Sequence, residues 1–162
     1  MLKFATLHCF AVMLALSGCA TPPVPGETAD AVIARWGKPS AIHAAGQDRL
    51  YEYPSGPLGQ FTWMARFGPD ARLVSLEQVL TSEKFATLRV GQSTREEVMR
   101  TVGRPAEHAY LRLRDQEVWS YRYKEAGVWN SMMHVHFDRA GVVQMMQNGP
   151  DPMYEYNDRR KD

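Results

Sequence analysis

Cysteine is almost missing from this chain: Cys9 and Cys19 are the only two in 162 residues. Cys9 falls in an apolar leader, so a processed chain keeps a single thiol and cannot close an intramolecular disulfide. An excess of charge is missing as well. Nineteen Lys and Arg face 18 Asp and Glu, and loss of Lys3 with the leader leaves eighteen of each, which excludes the basic surplus expected of a nucleic-acid binder. No apolar run reaches the roughly twenty residues a membrane-spanning helix needs. Catalytic signatures are absent too: no Gly-x-Ser-x-Gly elbow surrounds a serine, and no glycine pair is followed by the Gly-Lys-Ser/Thr of a phosphate loop. His134 and His136 stand two apart on one predicted strand face, but no third ligand lies near them in sequence, so they read as strand-surface residues. The sequence therefore predicts no catalytic residue, no metal site and no cofactor.

What the chain does have begins at its front. In "MLKFATLHCFAVMLALSGC", Lys3 supplies a positive n-region and Phe4 to Leu16 an apolar stretch of about thirteen residues, the pattern of an export signal. The closing Leu-Ser-Gly-Cys resembles the bacterial lipobox, in which the cysteine sulfur receives a diacylglyceryl group and the signal is cut just before it. Residues 1–18 are thus expected to be removed, and Cys19 to become an acylated first residue; a plain secretory peptide with a chance cysteine is the alternative. Two or more acyl chains hold a protein stably at a bilayer, where one does not. Ala20 stands where enteric lipoproteins retained at the inner membrane carry aspartate, so the resemblance implies the periplasmic face of the outer membrane. Residues 19–25, with "TPPVP", read as a short extended tether of roughly 20 Å.

The remaining chain repeats itself. "GETADAVIARWGKP" and "GQSTREEVMRTVGRP" align on Val32 and Val98. Gly26 and Gly91 open them, Thr28 and Thr94 stand four before the valine, and Gly37-x-Pro39 and Gly103-x-Pro105 close them; the second copy carries one extra residue after its first glycine. Each reads as a two-turn helix. Thr28, and Ser93 or Thr94, can cap the start. Val32 with Trp36, and Val98 with Val102, share a core-facing stripe. Gly37 and Gly103 serve as left-handed caps, and the prolines forbid continuation. Helices this short need cover, and each is followed by four alternating runs divided by turns: "AIHAA", "RLYEY", "FTWMARF" and "RLVSLEQVL", then "HAYLRL", "EVWSYRY", "SMMHVHF" and "VVQMMQ". The spacing predicts an α+β fold of two tandem units, 26–80 and 81–147, each a short helix or helix pair on a three- to four-stranded antiparallel sheet. Trp63 and Trp129 are expected in the core. The charged stretch 148–162 lacks periodicity and reads as a mobile tail.

A lipobox followed by Gly-x-(Ser/Thr)-x-x-x-Val-x-x-x-φ-Gly-x-Pro, where φ is a large apolar residue, and then by strands resembles the BamE (SmpA/OmlA) family of small outer-membrane lipoproteins, with "LRVGQSTREEV" the nearer match. The resemblance implies a non-enzymatic role in assembling outer-membrane β-barrels or maintaining the envelope. Two units where that family has one resembles instead the arrangement of β-lactamase inhibitor proteins, whose sheets grip a target enzyme. The function expected is a periplasm-facing protein-binding module whose partners are envelope proteins, including the β-barrel assembly machinery, held to the membrane by the lipid on Cys19. Inhibition of a periplasmic or secreted enzyme is the alternative, and an envelope hydrolase built on His108 with Asp115 or Glu117 a second. Arg112, Arg114 and Arg122, near Trp119, Tyr121 and Tyr123, are the candidate contacts for a protein partner or an anionic headgroup; otherwise the aromatics face the core and the arginines face solvent.

Overall fold

The computed structural model describes residues 21–158; the signal segment, Cys19 and residues 159–162 lie outside it. Among the described residues the order is α1 (Ala29–Trp36), β1 (Ala41–Ala45), β2 (Asp48–Pro54), β3 (Thr62–Phe67), β4 (Leu73–Gln78), α2 (Ser82–Ala86), α3 (Arg95–Val102), β5 (Glu107–Leu111), β6 (Gln116–Glu125), β7 (Trp129–Phe137), β8 (Val143–Pro150) and α4 (Pro152–Asp158). The strands form two separate antiparallel meanders, β1-β2-β3-β4 and β5-β6-β7-β8. The chain is an α+β protein of two units.

The repeat is structural as well as written. Thr28 Oγ1 accepts from the Ala31 amide and Thr94 Oγ1 from that of Glu97, both at 3.3 Å, each satisfying an amide the helix start leaves unpaired. Ser93 is not the cap: it is buried, and its hydroxyl accepts from the Arg89 amide at 2.9 Å. Gly26 and Gly91 both hold positive φ and donate their amides to the first residue of their unit's fourth strand, Leu73 and Val143, at 2.8 and 2.7 Å. Gly37 and Gly103 end the helices at φ 84° and 81°, but with extended ψ rather than the left-handed helical cap expected. That region is open to glycine almost alone. Each third strand also carries an irregularity at its last phenylalanine, before Phe67 and before Phe137.

Val32, Val98 and Val102 have no exposure, as their stripe requires, and Trp36 stays half-buried. The first core gathers Val32, Tyr51, Ala65, Phe67 and Leu73 between α1 and one face of the first sheet. The second gathers Val98, Val102, Trp119, Tyr121, Tyr123, Val135 and Phe137, together with Leu80, Phe85 and Leu88 from the connecting segment. The other face of the first sheet is also buried, through Leu50, Met64 and Val79. It lies against the second unit, whose Gly103 sits beside Glu52 and Thr62. The layers therefore run α1, first sheet, α2 with α3, second sheet.

Several expectations change here. Trp63 is 37% and Trp129 69% exposed, so neither is a core residue. Trp63 ends its row at the open rim of the first core, and Trp129 opens β7 at a hairpin tip. The stretch from Asn148 is not a loose tail over 148–158: β8 runs to Pro150, Asp151 is fully buried, and α4 follows. The tether is docked from Thr21 onward. Pro23 is buried, the Val24 amide donates to Glu27, and Arg35 reaches both Glu27 and Thr21.

Candidate functional site

Strand alternation decides where the sequence-predicted arginines go. On β6, Trp119, Tyr121 and Tyr123 point into the second core, with 6%, 1% and 1% exposure, so Arg122 must point to the opposite face. That face is not free. Arg122 is 7% exposed, bonding Asp151 Oδ1 at 3.0 Å and Glu107 Oε1. Arg122 is therefore not a surface contact; it ties β5 and the segment after β8 to the middle of the sheet. Arg112 and Arg114 do stand exposed, in the turn joining β5 and β6, which also carries Leu113 at 104% exposure and follows Leu111, the last residue of β5, at 39%. Next to them β5 forms a sheet edge in which all five residues are exposed, Tyr110 at 57%. An edge strand of this kind presents unpaired backbone donors and acceptors to another chain. Arg112 and Arg114 thus share a protruding tip with an open edge, and Arg122 lies elsewhere.

Beside that tip is an open cleft of about 540 Å³ lined by Arg95, His108, Tyr110, Asp115, Glu117 and Arg139. It contains the histidine and both carboxylates singled out as a hydrolase alternative. His108 Nδ1 is 3.7 Å from Glu117 Oε1, too far for a hydrogen bond, and its side chain is 58% exposed, its ring set edge-on to Trp119. Glu117 is already occupied, accepting from Trp119 Nε1 at 2.6 Å and Arg95 Nε at 2.7 Å. Partial burial disfavours its charge, but those two bonds and the charges of Arg95 and His108 outweigh it and hold the carboxyl below its usual range. Asp115 is likewise held low, by the Tyr110 hydroxyl first and then Arg139. Two carboxylates kept ionised by committed partners cross-link β6 to α3 and the β5–β6 turn to the β7–β8 turn; neither is poised to accept a proton near neutral pH.

His134 and His136 do share one face, but they do not converge. His134 Nδ1 is 2.8 Å from Ser120 Oγ, whereas His136 is 6% exposed with its Nδ1 unpartnered. Burial first, then the neighbouring charges of His134 and Arg114, pushes the His136 imidazole below its ordinary value. No three candidate metal ligands cluster among the described residues.

The residue that sequence reasoning missed is Glu52. It has no exposure, yet it stands on a strand face that alternation alone assigns to solvent. Its Oε1 accepts from the Arg104 amide of the second unit at 2.9 Å, and its Oε2 lies 2.8 Å from His43 Nε2. Gly103 is open to this approach because it has no side chain: a Cβ there would sit 3.1 Å from the Glu52 carboxyl. Close by, Gln60 Nε2 donates to Asn130 Oδ1 at 2.9 Å, joining the β2–β3 loop to β7. Nothing local to "YEYP" signals this; the second unit must be in place first.

Comparison with known proteins bears on the second unit. No curated protein matches the chain. Among solved structures, a DUF4309 family protein (YjgB) from Bacillus subtilis subsp. subtilis str. 168 aligns over 77% of this chain and 79% of its own at 14% identity, with a TM-score of 0.33, too loose a likeness to carry an argument. The family model described as the outer membrane protein assembly factor BamE domain matches residues 77–147, from the end of β4 into β8, the span of α2, α3 and the second meander. Residues 77–147 are thus similar to a BamE domain, and they follow a first unit of the same connectivity.

Proposed function

We propose that the protein is a lipid-anchored, non-catalytic module of the bacterial envelope. Acylated on Cys19, it binds envelope proteins from the periplasmic face of the outer membrane and serves β-barrel assembly or envelope integrity. The observation that carries this reading is the match of residues 77–147 to a domain described as an assembly factor. That domain leaves β5 as an exposed edge, ending in a tip with Leu113 and the exposed Arg112 and Arg114. Arginine and aromatic side chains at a protruding edge are the composition of protein-binding hot spots, and an edge strand can be extended by a partner strand. The occupied carboxylates around His108 favour binding over hydrolysis.

The test is crosslinking of the intact lipoprotein in living cells, comparing wild type with Arg112→Glu/Arg114→Glu and identifying captured proteins by mass spectrometry. Barrel-assembly components captured by wild type and lost from the variant support the proposal. A single captured hydrolase moves the reading to an inhibitor, and capture indifferent to charge reversal removes the tip as the contact.

A further inference from the structure

The two units have the same connectivity, so each serves as a control for the other. At the end of the first unit where α1 finishes and β2 turns into β3, three repeat positions differ sharply in character from their counterparts. Half-buried Trp36 corresponds to Val102, which has no exposure. Trp63, paired with Tyr53, corresponds to Met133, paired with Tyr121. Phe61, 43% exposed, corresponds to the buried Ser131. Trp36 packs edge-on to Tyr53 and Trp63, at centroid distances of 5.3 and 6.4 Å. The second unit supplies its own share of apolar surface at this end. The Gln60–Asn130 bond brings the β2–β3 loop to the β6–β7 tip, where Val128 and Trp129 are 66% and 69% exposed.

Core packing does not require large aromatics at half-exposed positions. A membrane interface does, since tryptophan settles where one part of the ring is apolar and the other wet. The docked tether supplies the second, independent observation. Thr21 is held against Arg35, in the last turn of α1 beside Trp36. Two residues of extended chain span at most about 7 Å, so Cys19 stays within that reach of Thr21.

We propose that this end of the molecule is its membrane face. With Cys19 acylated, Trp36, Phe61, Trp63 and Trp129 lie in the interfacial layer of the same phospholipid leaflet that holds the acyl chains. The inference rests on the anchoring proposed above. The contact is mainly apolar: Arg35 is paired with Glu27, Lys124 donates to the Val128 carbonyl at 3.4 Å, and Lys38 is an exposed cation beside Trp36 and Trp63. Zwitterionic lipid is enough for the aromatic side chains, and on such lipid, which carries no net charge, salt does not weaken the contact. The β5–β6 tip lies at the other end of β6, a ten-residue strand and thus about 30 Å away. There it projects toward the periplasm.

The test uses the full acylated lipoprotein in phosphatidylcholine vesicles whose acyl chains carry bromine near the headgroup, read by tryptophan emission against unbrominated vesicles. Wild type is expected to lose emission equally at low and high salt. Trp36→Phe/Trp63→Phe/Trp129→Phe, which keeps only the buried Trp119, is expected to lose none. Adding Leu113→Trp to that variant is expected to restore emission that bromine does not quench. Flotation with the vesicles but no quenching of wild type overturns this inference and leaves anchoring intact, as does quenching at Leu113→Trp equal to that of wild type. Failure to float overturns both.

Discussion

Replacing Glu52 with alanine removes a fully buried ionisable side chain that reaches between the units. The carboxylate is fully buried; it accepts from the Arg104 amide at 2.9 Å and meets His43 Nε2 at 2.8 Å. Alanine leaves that amide and that imidazole unpaired. Each orphaned buried polar group costs about 1–3 kcal/mol, and the cavity left by the lost side chain adds to it. We expect Glu52→Ala to lose about 3–5 kcal/mol, a large share of a domain's typical 5–15 kcal/mol. Glu52→Gln keeps an acceptor for Arg104 and can offer an amide N–H to the His43 ring, so it should lose much less. Gly103→Ala strains a φ of 81° and brings a Cβ to 3.1 Å from both the Glu52 carboxyl and Thr62 Cγ2. Part of that clash disappears in Glu52→Ala, so the double variant should be more stable than the sum of the singles predicts, by about 0.5–3 kcal/mol. Urea unfolding at pH 7, followed by tryptophan emission and circular dichroism together, measures all four proteins. If Glu52→Ala falls within 0.5 kcal/mol of wild type, the bridge between the units is energetically idle and the reasoning fails.

Two further outcomes follow from buried charge in the second unit. Arg122→Ala strips the partner from Asp151, which has no exposure, and should cost about 3–5 kcal/mol while raising amide exchange in 148–158 before the rest of the second sheet; protection unchanged there would contradict the strap. His136 has a depressed folded pKa, so the unfolded chain binds its proton first as pH falls. The stability this residue contributes is complete above the ordinary value of 6.5 and is lost as pH drops below it. His136→Gln should flatten the decline of Tm between about pH 6.5 and the carboxylate range, and an unchanged slope would remove His136 as its source.

Periodicity and punctuation made most of the fold legible. Thr28 and Thr94, the valines four residues on, the glycines with positive φ and the prolines after them are local requirements of a short helix, and they reappear in three dimensions as written. Alternation placed Trp119, Tyr121 and Tyr123 inward for the same reason. It failed where a sheet is covered on both faces. Leu50, Glu52, Thr62 and Met64 alternate with Tyr51, Tyr53, Trp63 and Ala65, and nothing within β2 or β3 reveals that the first of these sets is buried by another unit. The same blindness made Arg122 look exposed and Trp129 look internal. In both cases the deciding neighbour is distant in sequence: Asp151 closes over one, and no element covers the hairpin tip that holds the other. Of the candidate site, Arg112 is expected on a strand from "HAYLRL" but lies in the β5–β6 turn with Arg114, because β5 ends at Leu111 and a turn exposes its side chains whatever surrounds it.

The family model reaches only the second unit, and the packing gives a reason. A solitary helix-and-meander unit keeps one sheet face on its own helix and can leave the other wet, so its strands alternate apolar with polar. In the first unit the face that would be wet carries Leu50, Met64 and Val79 and is spent on the second unit's helices; its sequence is pulled away from the solitary pattern while the punctuation of α1 survives. The same packing removes a surface from use. The helices of the second unit lie between two sheets, so a partner that would approach a lone unit from its helix side meets the first sheet here. Of the second sheet, part of the outer face is closed in its turn, by Arg122 with Asp151 and by the buried Ser120 and His136. The β5 edge and its tip stay open, as does much of β8 at the opposite edge. The addition of a first unit thus narrows where a partner protein can bind, and the β5–β6 tip stands at the end of β6 away from the Gln60–Asn130 contact with the first unit.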